Sequence, residues 1–139
     1  MTVPPIRTGK LMTHSMRTQK GVTLIELIIV VMLISVLAAI AIPMYKNSIT
    51  SSKEAVLKEN LFTIRDVIDQ FYLDKQKYPQ DLEELVDEGY LREVPYDPMT
   101  NSQDTWLTDP PPNPEESGVY DVKSGSEEQA LDGTYYSEW

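Results

Sequence analysis

The sequence contains no cysteine and one histidine, His14, in 139 residues. No disulfide can staple the fold, and the lack of thiols is compatible with either side of a membrane. One histidine near the N-terminus cannot build a catalytic or metal-ligating cluster by itself. The six glycines never gather into a phosphate-binding loop, and the acids occupy surface-type positions, so no enzyme is expected. Basic residues are also scarce, 12 against 22 acids, for a net charge of −10. Nucleic acid is excluded as a partner, because binding it needs a basic footprint.

What is present is sharply divided. Residues 1–21 hold Arg7, Lys10, Arg17 and Lys20 with no acid, and residues 22–42 hold Glu26 as their one charge, so the rest of the chain carries −13. Val22 to Ile42 reads VTLIELIIVVMLISVLAAIAI, a run of 21 residues. As a helix rising about 1.5 Å per residue it matches a bilayer core of roughly 30 Å, and core helices of soluble domains are seldom apolar on every face for so long. The basic flank places the N-terminus in the cytoplasm and the acidic remainder across the membrane. A secretory signal peptide is the competing reading, with Ala39 and Ala41 ahead of Pro43 as a cleavage pattern. The run exceeds the usual apolar region of about 7–15 residues, and Glu26 near its start argues against that alternative.

A carboxylate among aliphatic side chains costs several kcal/mol unless paired, which makes Glu26 a functional suspect, yet the run offers it no Lys or Arg. Lys20-Gly21-Val22-Thr23-Leu24-Ile25-Glu26, followed by the apolar stretch and Pro43, resembles the leader of type IV pilins and type II secretion pseudopilins. The resemblance implies cleavage after Gly21 by a prepilin peptidase and methylation of the new amine of Val22. It also implies that the Val22 amine of one subunit pairs with Glu26 of the next. Where that family usually has phenylalanine after the cut, this chain has Val22. The leader is long, with Met12 and Met16 as alternative starts.

Beyond Pro43 the pattern becomes periodic. Leu57, Leu61, Ile64, Ile68 and Phe71 recur at spacings of four and three, an amphipathic stripe with Lys58, Arg65, Asp66 and Asp69 opposite. Joined to the apolar run, this predicts one long helix over residues 22–75, with a kink or local melting at Pro43; a boundary between two helices is the alternative. The resemblance implies a helix that loosens there when filaments stretch. Lys77-Tyr78-Pro79 stops it.

The last 64 residues, 76–139, form a small region. Asp81 with Glu84 reads as a capping box for a short helix through Leu82, Leu85 and Val86, ended by Gly89. Thr105 to Leu107 and Gly118 to Val122 read as strands around an exposed proline-rich loop over 108–117. The predicted class is α+β: a long N-terminal helix carrying a short helix and a small antiparallel sheet. Lys77-Tyr78-Pro79, Gly89-Tyr90-Leu91, Val94-Pro95-Tyr96-Asp97-Pro98 and Gly118-Val119-Tyr120-Asp121-Val122 make the resemblance closest to the major pseudopilin.

That resemblance implies calcium bound in a C-terminal loop. Asp132, Glu127 and Glu128 are its candidate ligands, although the paired aspartates that usually follow are replaced by Tyr135-Tyr136-Ser137. By themselves these residues read as a solvated acidic loop. The function implied is a subunit of a type II secretion pseudopilus that drives export across the outer membrane. A type IV pilus subunit is the alternative, and a tethered binding module that never polymerises is a third reading. The implied partners are further copies in a homopolymer, other pseudopilins, the prepilin peptidase, an inner-membrane platform with its ATPase, and lipid before assembly. The implied location is the inner membrane as a single pass, with the outer domain and the filament in the periplasm.

Overall fold

The computed structural model describes residues 1–5, 9 and 21–139. The basic residues Arg7, Lys10, Arg17 and Lys20, together with His14, Met12 and Met16, lie outside them. The chain divides into two compact units, Met1–Ala38 and Ala39–Trp139.

Within the first unit, helix α1 begins at Leu24; it ends at Lys75 in the second. Thr23 caps its start, its hydroxyl accepting the Glu26 N–H at 3.3 Å while its carbonyl accepts from Leu27 N–H at 3.1 Å. The aliphatic side chains from Leu24 to Leu37 are exposed. The one hydroxyl among them, Ser35, donates to the Val31 carbonyl at 2.7 Å and so presents no unmet donor to an apolar surrounding.

In the second unit α1 continues through Pro43 as one helix, so the alternative of two separate helices is not adopted. Just beyond, Ser48, Thr50 and Ser52 each donate to the carbonyl four residues back. The predicted stripe Leu57, Leu61, Ile64, Ile68 and Phe71 is buried, joined by Val67. Onto it fold Leu82 and Leu85 of helix α2 (Leu82–Asp87), with Val94, Trp106, Val119, Val122, Ala130 and Tyr136. Helix α1 stops with Gln76 in the left-handed region, φ 56°.

Asp81 caps α2 by accepting from Glu84 N–H at 2.8 Å, but the return arm differs from the sequence expectation: the Glu84 carboxylate takes the N–H of Gln80, at 2.6 Å. At the other end Gly89 has φ 82°, and the amides of Gly89 and Tyr90 reach the carbonyls of Val86 and Leu85. This crossed pair is the Schellman closure for which a glycine is suited.

Strands β1 (Leu107–Asp109) and β2 (Asp121–Lys123) pair antiparallel, with Thr108 opposite Val122. Both lie later in the chain than expected. Trp106 is buried with its indole N–H on the Pro95 carbonyl at 2.8 Å, and the Val119 N–H goes to Pro79 at 2.7 Å, so the preceding residues of each predicted strand have other partners. The proline-rich segment is correspondingly shorter: Thr108 and Asp109 belong to β1, and Pro111 is buried. Asp109 and Asp121 face each other across the ladder, a repulsive pair that two cations offset. Lys123 bonds Asp109 at 2.6 Å and Arg65 bonds Asp121 at 2.7 Å.

Candidate functional site

Two places bear on the expected roles, one at the start of α1 and one in the C-terminal loop.

At the first, Gly21, Val22 and Thr23 precede the helix outside any regular element, and Glu26 stands in its first turn. The exposed amides of a helix start favour a carboxylate there. Thr23-Leu24-Ile25-Glu26 carries the capping-box spacing, a signal the sequence reading missed, but only half the box is made. The Thr23 hydroxyl takes the Glu26 amide, whereas the Glu26 carboxylate makes no hydrogen bond or ion pair among the described residues. An acid is therefore held in the first turn of an otherwise aliphatic surface, unpartnered among the described residues. That surface is long and apolar enough to cross a membrane.

The second place holds the calcium candidates Asp132, Glu127 and Glu128. The described residues contain no group of three or more acidic, histidine or cysteine side chains that could hold a metal, so Asp132, Glu127 and Glu128 are not gathered. Asp132 Oδ1 turns inward on its own loop, accepting from the Thr134 amide at 3.0 Å and the Thr134 hydroxyl at 2.6 Å. These bonds hold its carboxyl below the usual aspartate range. Glu127 and Glu128 are exposed. A hard cation needs six to eight oxygens, and these residues do not fit it.

The loop is instead tied to α1 by Glu54, a residue that nothing in its own segment singles out. Glu54 Oε1 accepts from the Leu131 amide at 2.8 Å and the Tyr136 hydroxyl at 2.9 Å. Arg65, which a helical wheel placed on the solvent face, donates to the Val122 and Trp139 carbonyls, each at 2.9 Å, as well as to Asp121. Both long side chains reach partners more than fifty residues away in sequence, beyond what local periodicity can reveal.

Two measurements check this tie. Chelation is expected to leave the melting temperature of the solubilised chain unchanged, while Glu54→Ala removes two charge-assisted bonds worth about 1–3 kcal/mol together and lowers it by roughly 5–15 °C. A fall on chelation would sink this assignment. Tyr136 is 1% exposed, and burial, then the Glu54 bond, push its hydroxyl from 10.0 up to about 12. A raised folded value means the contribution is complete below pH 10 and is lost as pH rises through about 12. Tyr136→Phe should flatten that alkaline loss of stability; an unchanged slope would place it elsewhere.

Residues 16–42 match the family described as the prokaryotic N-terminal methylation motif. The type II secretion system core protein G of Escherichia coli (strain K12) is 30% identical over 122 residues, covering 76% of this chain and 80% of that protein. The protein of the same name from Pseudomonas aeruginosa is 34% identical over 101 residues, covering 61% and 71%. The type IV major fimbrial protein FimA of Dichelobacter nodosus is 48% identical over 59 residues, 42% of this chain and 37% of that one. No solved structure is significantly similar to the chain. With its apolar helix, methylation motif and α+β outer unit, the chain is pilin-like, and it belongs to the type II secretion system core protein G family.

Proposed function

We propose that this chain is the structural, non-enzymatic subunit of a pseudopilus that drives protein export across the outer membrane. It is made as a single-pass inner-membrane protein with a cytoplasmic N-terminus and a periplasmic outer unit. A prepilin peptidase cuts between Gly21 and Val22 and methylates the Val22 amine. An inner-membrane platform and its ATPase then move the subunit from lipid into a filament with other pseudopilins.

One observation carries this reading. Glu26 is an unpartnered carboxylate among the described residues, fixed one helical turn past Val22 on an exposed aliphatic surface. After cleavage the Val22 amine is a cation at the same depth. An incoming subunit satisfies both charges in only one register, because any other leaves two charges unpaired in an apolar surrounding. The same step covers the aliphatic side chains, first with lipid and then with neighbouring helices. Pro43, which cannot donate to the Ala39 carbonyl, and the three back-bonded hydroxyls at Ser48, Thr50 and Ser52 mark where this helix yields under tension.

Intact mass of the membrane-extracted protein tests the first step. The expected species begins at Val22 and carries one added methyl group. Gly21→Val should leave an uncut precursor, because a protease reaching the backbone at the membrane surface has little room for a β-branched side chain there. Normal processing of that variant would overturn the assigned cut. The likeness to FimA keeps a surface pilus as a second reading. Deleting the gene separates the two: loss of exported protein with surface fibres intact supports the pseudopilus, and the reverse supports the pilus.

A further inference from the structure

We propose that the outer unit carries a second subunit-docking site, in which a groove beside Phe62 receives the acidic proline turn of another copy of this chain. The inference rests on the reading that the chain polymerises.

The groove has a volume of about 400 Å³ and is lined by Lys58, Leu61, Phe62, Arg65 and Trp139, with Asp132 at its rim. Phe62 is 68% exposed, on the side of α1 away from the core. The Trp139 indole N–H bonds the Thr134 hydroxyl at 2.7 Å, which fixes the ring, and Lys58 Nζ lies 4.4 Å from its centroid. Arg65 is committed to Asp121. Asp132 is committed to Thr134. Lys58 has no carboxylate within ion-pair distance among the described residues. The result is a slot with two aromatic walls and one cation, over the Trp139 ring, that makes no ion pair among the described residues.

The complementary feature is the turn through Pro112, Asn113, Pro114 and Glu115, all exposed. The Asn113 side chain accepts from the Glu115 amide at 3.2 Å and its carbonyl accepts from the Glu116 amide at 3.1 Å. Glu116 is pinned at the base by the Tyr72 hydroxyl at 3.1 Å, and Glu115 makes no ion pair among the described residues. Proline rings favour aromatic grooves, and a turn already held in shape loses little conformational entropy on docking. The carboxylate of Glu115 supplies the charge that Lys58 lacks. The pin at Tyr72 is ten residues along α1 from Phe62, or roughly 15 Å, so the turn does not reach its own groove and must find that of a second copy. Two different patches meeting head to tail form a heterologous contact, which builds an open filament where its rotation does not close a ring.

The absence of native cysteine makes the test direct. The full chain carrying Lys58→Cys and Glu115→Cys is co-expressed with a type II assembly machinery, and filaments are sheared off and oxidised. A disulfide-linked ladder, absent from either single-cysteine variant, is the expected result. Filaments that run as monomers, or a disulfide closed within one chain, would overturn the docking site while leaving polymerisation standing. If the unsubstituted chain itself forms no filaments, the polymerisation reading fails and takes the docking site with it. A charge exchange gives an independent readout: Lys58→Glu should lower filament yield about tenfold, and adding Glu115→Lys should restore it. Equal yields from all four combinations would overturn the contact.

Discussion

Glu26→Gln is expected to leave membrane insertion and the outer unit unchanged and to reduce sheared polymer at least tenfold. Glutamine keeps the size and the helical propensity of glutamate but removes the charge, which costs about 2.5–3.5 kcal/mol to place in an apolar helix, so insertion is unimpaired or improved. Assembly changes in the opposite sense. Each docked copy would bury the Val22 amine opposite a neutral amide, and a penalty of about 2–3 kcal/mol per added subunit makes each step about 30- to 150-fold weaker. The Thr23 cap is unaffected, since the Glu26 main-chain N–H makes that bond. Co-expression with the assembly machinery, followed by shearing and a count of polymer against membrane-bound monomer, measures it. Equal polymer from both proteins would remove the pairing mechanism, whereas a tethered, non-polymerising module gives no polymer from either.

The second large effect is expected at Asp97, where substitution should strongly destabilise the outer unit without touching the membrane segment. Its carboxylate is fully buried. One oxygen accepts from the Ser124 hydroxyl at 2.6 Å and the Gly125 amide at 3.2 Å, while the other accepts from the Met99 amide at 2.8 Å. The backbone around it is equally engaged, with the Asp97 amide on the Ser102 carbonyl and the Tyr96 carbonyl taking the Asn60 side chain from α1. Asp97→Ala leaves three donors with nothing to accept them, a loss of about 3–5 kcal/mol in a fold whose whole stability is about 5–10 kcal/mol. Asp97→Asn should fall between, because its amide group turns one of the three contacts into donor against donor. Gly125 belongs to the same lock: a Cβ there would overlap the Thr105 carbonyl oxygen. Urea unfolding of the detergent-solubilised chain, followed through Trp106 and Trp139, reports on this unit alone. A change below about 0.5 kcal/mol for Asp97→Ala would show that the lock contributes nothing.

Asp97 also shows where reading the chain stopped short. Asp97-Pro98 is a recognisable turn opening, with aspartate at the first position and proline at the second, and the chain turns there, closed one residue wider by the Asn101 amide on the Asp97 carbonyl at 2.8 Å. That its carboxylate would also hold Ser124 and Gly125 could not be inferred, because the partners lie 27 and 28 residues away. Glu54 and Arg65 escaped for the same reason. The two strands were displaced by a few residues because Trp106 and Val119 satisfy other elements before the ladder begins. The calcium ligands were expected from a resemblance in a segment where this chain departs from the pattern, and the departure, Tyr136, is the residue that meets Glu54.

The sequence by itself determined the features that depend on local order and composition. These are the apolar run with its isolated acid, the buried stripe from Leu57 to Phe71, the cap at Asp81 and the glycine closure at Gly89. Each is settled by neighbours within about four residues, through helical periodicity or a single backbone conformation. Tertiary structure alone decided which polar side chains hold the outer unit together: Asp97 on the Ser124 loop, Glu54 on the C-terminal loop, and Arg65 across β2 and Trp139. A charged side chain reads as solvent-facing from its own segment. Whether it becomes a buried acceptor or a clamp depends on which donors a distant loop brings to it, and that is fixed only when the chain folds.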